Sequence, residues 1–205
     1  MIEDRGFRLF PGRLDEAVQR ALVDAVFAAA ADAPFYRPLT PGGQAMSVET
    51  TNLGEVGWFT DARGYRYVDR HPLTGAPWPP IPPVLLDLWA DAAGAAAPPD
   101  ACLVNLYRDG ARMGLHQDRD EADFAFPVLS VSLGDTAVFR LGGTSRKDPT
   151  RSVRLTSGDV CLLSGPARLA FHGVDRVLAG SSRLVPGGGR INLTLRRARP
   201  GPANL

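Results

Sequence analysis

Arg190-Ile191-Asn192-Leu193-Thr194-Leu195-Arg196 alternates without a break. Ile191, Leu193 and Leu195 fall on one side of an extended chain, and Arg190, Asn192, Thr194 and Arg196 on the other. Such a strand has two readings. In an antiparallel sheet the polar side ordinarily meets water. Alternatively it walls a pocket in which two guanidiniums and an amide hold a small dicarboxylate, since arginine pairs bidentately with carboxylate.

Outward from that strand, short apolar or alternating runs recur at 101–107, 127–133, 136–141, 151–155, 159–163 and 168–171. Gly142-Gly143, Gly158-Asp159 and Gly187-Gly188-Gly189 punctuate them. Many short strands with turn signals between them predict an antiparallel sandwich or barrel. Upstream, Leu14, Val18, Leu22 and Val26 repeat every four residues, which predicts an amphipathic helix closed by Pro34. A second helix is expected after Pro79-Pro80-Ile81-Pro82-Pro83, through Leu85, Leu88 and Trp89 to Gly94. Residues 40–80 between them read as hairpins rather than core. The fold class is therefore α+β.

The chain has 205 residues, enough for one domain, and 44% are hydrophobic. Its 23 Lys and Arg against 22 Asp and Glu leave a net charge of +1, too little to hold nucleic acid by bulk charge. Any such role must rest on a local site. Cys102 and Cys161 lie in apolar runs without metal-ligand spacing and read as buried free thiols. The N-terminus does not resemble a signal peptide, and the longest apolar run, Ala25 to Ala31, is far short of a membrane span. The expectation is a soluble cytoplasmic monomer.

Only three histidines occur: His71, His116 and His172. His116-Gln117-Asp118 places a histidine and a carboxylate on one side of an extended chain, where both can grip one ion. On a helix they would stand about 200° apart. His172, after the run ending at Phe171, could add a third ligand. Two histidines and one carboxylate on one face of an octahedron leave three positions open, as non-haem Fe(II) oxygenases require. The bland alternative is a surface His-x-Asp turn. Asn105 and Tyr107 share a face eleven residues upstream, and buried amide and phenol groups need partners that a bound acid could supply.

Taken in order, these features resemble the AlkB family of Fe(II)- and 2-oxoglutarate-dependent dioxygenases, which demethylate alkylated nucleic-acid bases. The resemblance runs from about Thr40 to Arg196. It is carried by Thr40-Pro-Gly-Gly, Met46-Ser-Val, Gly57-Trp58, Asn105-Leu-Tyr107, His116-Gln-Asp118-Arg-Asp120, Ser130-Val-Ser-Leu-Gly134, Gly158-Asp159-Val, His172-Gly173 and the 190–196 strand. It implies a double-stranded β-helix, or jelly-roll, core at about 96–197. Before the core would come helices and a nucleotide-recognition lid at about 1–95, and after it a flexible tail at 198–205, all in one dioxygenase domain.

The resemblance further implies that His116, Asp118 and His172 bind Fe(II), and that Asn105, Tyr107, Arg190, Asn192 and Arg196 contact 2-oxoglutarate. Arg190 would hold the far carboxylate and Arg196 the chelating end, with O₂ as co-reactant. For the substrate it implies Trp58 and Tyr65 as base-stacking and phosphate contacts, and Asp120 and Arg146 as further contacts. Tyr67 belongs either to the base wall or to a hairpin anchor, and Met46 and Thr40 to the lid. His71 and Glu121 read as turn residues outside the site. Thr50 stands where the bacterial pattern carries a second lid methionine, which bears on base preference.

The implied substrate is N-alkylated bases, 1-methyladenine and 3-methylcytosine, in single-stranded DNA and RNA. The implied products are the repaired base, formaldehyde, succinate and CO₂. Rival readings are a same-fold hydroxylase of a protein or metabolite, a non-catalytic cupin-like binding module, and a zinc hydrolase.

Overall fold

The alternating strand becomes the middle of a sheet whose two faces do different work. A computed structural model describes residues 1–94 and 97–200. Its strands are β1 (Ile2–Asp4), β2 (Phe7–Phe10), β3 (Glu49–Gly54), β4 (Gly57–Asp61), β5 (Gly64–Val68), β6 (Ala101–Tyr107), β7 (Met113–His116), β8 (Val128–Gly134), β9 (Thr136–Leu141), β10 (Arg151–Leu155), β11 (Val160–Leu163), β12 (His172–Leu178) and β13 (Arg190–Arg196). Two helices, α1 (Glu16–Ala29) and α2 (Pro83–Ala93), precede most of the sheet.

The large sheet runs β1-β2-β11-β8-β13-β6-β3, with β13 antiparallel to both β8 and β6. A second sheet, β10-β9-β12-β7, faces it, and β4 with β5 forms a separate hairpin. Ile191, Leu193 and Leu195 join Leu22 and Val26 of α1 and Leu85, Leu88 and Trp89 of α2 in one core. A second core between the sheets contains Phe7, Phe139, Leu141, Cys161, Leu163 and Val174. The helices thus take the apolar side of β13, and its polar side is forced into the space between the sheets. All seven residues of β13 are buried. This is the jelly-roll arrangement, and both cysteines are buried and free within it.

The helices form where their spacing predicts. Asp15 caps α1 by accepting from the Val18 amide at 2.8 Å, and Gly94 closes α2 in the left-handed conformation. α1 stops at Ala29, short of Pro34. Among the described residues no helix is long and apolar enough to cross a membrane.

Other expectations need correction. Residues 40–80 are not all hairpin, because β3 pairs with β6 and buries Thr50 to Leu53. Residues 168–171 form no strand; they follow a 3₁₀ turn at Gly165–Ala167 and lead into β12. The expected flexible tail from 198 is anchored at its start. Asp100 accepts from the amides of Ala198 and Arg199 at 2.6 and 3.0 Å, and Arg199 pairs with Glu55 and Asp69. Residues 201–205 lie outside the described part.

Leu193 is fully buried between α1, α2 and the sheet. Leu193→Ala is expected to cost about 2–5 kcal/mol from lost transfer energy and the cavity left behind, read as a fall in the urea midpoint.

Candidate metal centre and its pocket

β7 and β12 bring the two distant histidines together: His116 and His172 are direct cross-strand partners. Their rings lie 4.5 Å apart, centroid to centroid. Asp118, just past β7, completes the set, with its Oδ1 3.8 Å from His116 Nε2 and its Oδ2 3.7 Å from His172 Nε2. These gaps are too long for hydrogen bonds and leave room for an ion between the three groups. One ligand atom from each residue lies within 4.8 Å of the others.

Both rings are set in the same tautomer. His116 Nδ1 lies 2.9 Å from the Gly114 carbonyl and His172 Nδ1 2.9 Å from the Ala170 carbonyl. A carbonyl can only accept, so Nδ1 carries the proton in each ring and Nε2 keeps its lone pair for a metal. Burial, reinforced by His116, pushes His172 down to about 4, so it stays neutral near pH 7. Burial alone would push the Asp118 carboxyl up. Arg196, His172, His116 and Arg168 outweigh it and hold Asp118 well below the usual carboxylate range, ionised and ready to ligate.

Gly173 follows His172 and permits the pairing. A Cβ there would lie 2.5 Å from the Met113 carbonyl oxygen, so any side chain would push β7, and with it His116, away from β12.

The triad opens into a cavity of ≈ 290 Å³ between the sheets. Asn105, Tyr107, Asn192, Thr194 and Arg196 line it. Asn192 donates to Ser130 Oγ at 2.6 Å and to the Val131 carbonyl, and Thr194 donates to Asn192 Oδ1 at 2.8 Å. Arg190 is not itself on the cavity wall: 1% exposed, it stacks at 5.3 Å over the ring of Tyr107, which is. It donates one bond, to Ser132 Oγ at 3.0 Å, while its Nε and Nη1 find no partner among the described residues. Asn105 Oδ1 and Asp118 Oδ2 are likewise buried without one. A buried guanidinium lacking an anion is costly, and a carboxylate is what would relieve it. Ser130 and Ser132, to which sequence reading gave no role, thus brace this wall; their alternation within β8 was the available signal.

Trp58 and Tyr65 stack at the mouth, with centroids 5.6 Å apart and planes 20° apart. Asn52 holds Trp58 by pairing with both its backbone amide and its carbonyl. The indole Nε1 donates to Asp120 Oδ2 at 2.8 Å, so one oxygen of the expected substrate carboxylate is engaged by the base-wall residue itself. Met46 and Arg119 also line the mouth. Arg119 escaped the sequence reading, although it interrupts the acidic alternation after His116.

Several expected residues lie elsewhere. Tyr67 is not on the cavity wall; its hydroxyl donates to Glu121 Oε1 at 2.6 Å, which makes it a hairpin anchor. Arg146 is exposed beyond the rim, donating to the Leu115 carbonyl at 3.0 Å. Thr40 sits in an exposed turn and Thr50 is buried in β3 opposite Asn105, so neither reaches the cavity. His71 is buried against Tyr36 and Trp78, its ring spanning the Pro34 carbonyl and the Leu73 and Thr74 amides. Glu121, expected as a solvated turn acid, is buried.

Two histidines and a carboxylate converging on a cavity that Asn105, Tyr107, Asn192 and Arg196 also line suit an iron oxygenase that consumes an oxoacid. The chain belongs to the 2OG-Fe(II) oxygenase superfamily, whose signature matches residues 6–196, and within it to the AlkB family. The alpha-ketoglutarate-dependent dioxygenase AlkB homolog of Caulobacter vibrioides (strain NA1000 / CB15N) is 72% identical over 95% of this chain and 88% of its own length. The alpha-ketoglutarate-dependent dioxygenase AlkB of Escherichia coli (strain K12) is 44% identical over 82% of this chain and 80% of its own. The solved structure of OsALKBH1 superposes with a TM-score of 0.81 at 32% identity, covering 96% of this chain and all of that one. The protein is thus a dioxygenase that uses Fe(II) and 2-oxoglutarate.

Gly173→Ala is expected to keep the fold while lowering Mn(II) affinity at least as much as losing an outer hydrogen-bond partner of a ligand does, ~10–100-fold. The free Mn(II) signal in electron paramagnetic resonance reads this directly.

Proposed function

We propose that this protein oxidatively removes methyl groups from N-alkylated bases, 1-methyladenine and 3-methylcytosine, in single-stranded DNA and RNA. One observation carries the reading: a single cavity is walled at its floor by the His–Asp–His triad and at its mouth by the Trp58–Tyr65 stack. The names of the relatives, AlkB dioxygenases and nucleic-acid demethylases, point the same way.

His116, Asp118 and His172 hold Fe(II). The unpartnered Nε and Nη1 of Arg190 take the far carboxylate of 2-oxoglutarate, with the Tyr107 and Asn105 side chains beside it. Asn192 and Arg196 bound the chelating end. When bound, the metal and the oxoacid supply oxidation of the N-methyl group by O₂, with 2-oxoglutarate going to succinate and CO₂. The hydroxymethyl product then releases formaldehyde as its O–H proton passes to water and the C–N bonding pair returns to the ring nitrogen; no protein acid is needed, because the base departs as a neutral ring. A base in a duplex cannot reach this depth, so the substrate base is unstacked and lies against Trp58. Tyr65 and Arg146 contact the strand outside the cavity. Asp120 favours the cationic methylated base over its neutral parent through the oxygen that Trp58 leaves free.

Anaerobic loading with Fe(II) and 2-oxoglutarate, then O₂ and a short single strand carrying one 3-methylcytosine, tests the reading. Expected is a strand lighter by one methylene, with succinate in equal amount, and neither in His116→Ala. Succinate without any change in the strand would redirect the enzyme to a protein or metabolite substrate. Arg190→Met is expected to raise the KM for 2-oxoglutarate ~10–100-fold, as follows from losing about 1.5–3 kcal/mol of charge-assisted hydrogen bonding, and to affect metal binding little.

A further inference from the structure

Behind the triad lies a buried group of charges that the proposed chemistry does not use. Glu121 Oε2 accepts from Arg168 Nη2 at 2.9 Å, with both side chains at most 3% exposed. Glu121 Oε1 accepts from the Tyr67 hydroxyl at 2.6 Å and lies 3.5 Å from Arg196 Nε. Arg196 Nη2 in turn donates to Asp118 Oδ1 at 2.8 Å, and Arg168 Nη1 donates to the Asp118 backbone carbonyl at 2.7 Å. Two guanidiniums and two carboxylates therefore share one dry site, and one of the carboxylates is a triad ligand.

The balance of charge in this group bears on that ligand. Arg168 and Arg196 are permanently cationic and cannot leave the interior. With Glu121 present, Arg168 has a carboxylate of its own and Arg196 a second one, and Asp118 gives up only Oδ1, leaving Oδ2 beside His172 without a hydrogen-bond partner among the described residues. Without the Glu121 charge, both guanidiniums would have Asp118 alone as a nearby anion. They would compete with the metal for its electron density, and buried charges screen one another poorly.

We infer that Glu121 is a positioning residue that keeps Asp118 available as a metal ligand by neutralising Arg168 and restraining Arg196, and that Tyr67 ties the β4–β5 hairpin to this group. The inference rests on the proposed role of Asp118 and concerns its supporting charges, not the substrate.

The test uses Mn(II) alone, titrated into the full chain and followed by the free Mn(II) resonance signal. Glu121→Gln keeps shape and removes charge, whereas Glu121→Asp keeps charge and alters shape. The expected result is a ~10–100-fold weaker Mn(II) affinity for Glu121→Gln, the range typical of partners behind a metal ligand, and a change of no more than about threefold for Glu121→Asp. Folding of each variant is checked by circular dichroism. A folded Glu121→Gln that binds Mn(II) as the parent does, or a larger loss in Glu121→Asp than in Glu121→Gln, would overturn the inference in favour of simple packing. Should Glu121→Gln fail to fold, Glu121→Asp decides alone: a loss well beyond threefold counts against the charge argument and retention counts for it. The parent is assayed in parallel on the methylated strand. A parent that binds Mn(II) but leaves the strand unchanged defeats the proposed substrate and leaves the role of Glu121 standing.

Discussion

A row of polar side chains cannot be buried without partners, and β13 buries four of them. Its apolar edge is claimed by two helices, so Arg190, Asn192, Thr194 and Arg196 have nowhere to go but between the sheets. Asn192 and Thr194 are satisfied internally by each other and by Ser130. The two arginines at the ends are treated differently. Arg196 is answered by Asp118 and Glu121, whereas Arg190 is left with a single neutral hydroxyl. That asymmetry leaves one guanidinium of the strand neutralised beside the triad and the other, behind Tyr107, without an anion among the described residues. The hydrophobic core on the other face of the same strand offsets the cost.

Much of this was written into local pattern. Strict alternation at 190–196, the apolar run at 101–107 and the fourfold spacing around α1 are patterns that a single element displays by itself. Strands β1, β2, β7 and β12 escaped notice; the last two are short or bulged and mix polar with apolar residues, one carrying a histidine of the triad at its end and the other at its start. β3 read as hairpin rather than core because three of its four buried residues, Thr50, Thr51 and Asn52, are polar, and the last of these holds the backbone of Trp58.

Residues whose role depends on a distant partner were the hardest to read. Glu121 and Arg168 stand 47 positions apart, and nothing near Glu121 distinguishes it from the exposed Asp120 beside it. Tyr67 and Tyr65 differ by two places on one strand, yet one hydroxyl goes into the protein and the other ring lies 50% exposed against Trp58. The family resemblance picked out the three residues that converge in the triad, which are tied to short motifs. It did not separate base wall from hairpin anchor, because Tyr65 and Tyr67 share one face of β5 and differ only in their place along it.

The pairing of His116 with His172 has one more consequence. β7 is a four-residue edge strand hydrogen-bonded on one side only, to β12. An ion held by both histidines would bridge β7 to β12, so ligation and docking of β7 would favour each other through one shared coupling free energy. The metal of such a site would fasten the edge of the fold as well as serve the chemistry, and the hydrogen-exchange protection of Met113 to His116 would report how fully the enzyme is loaded.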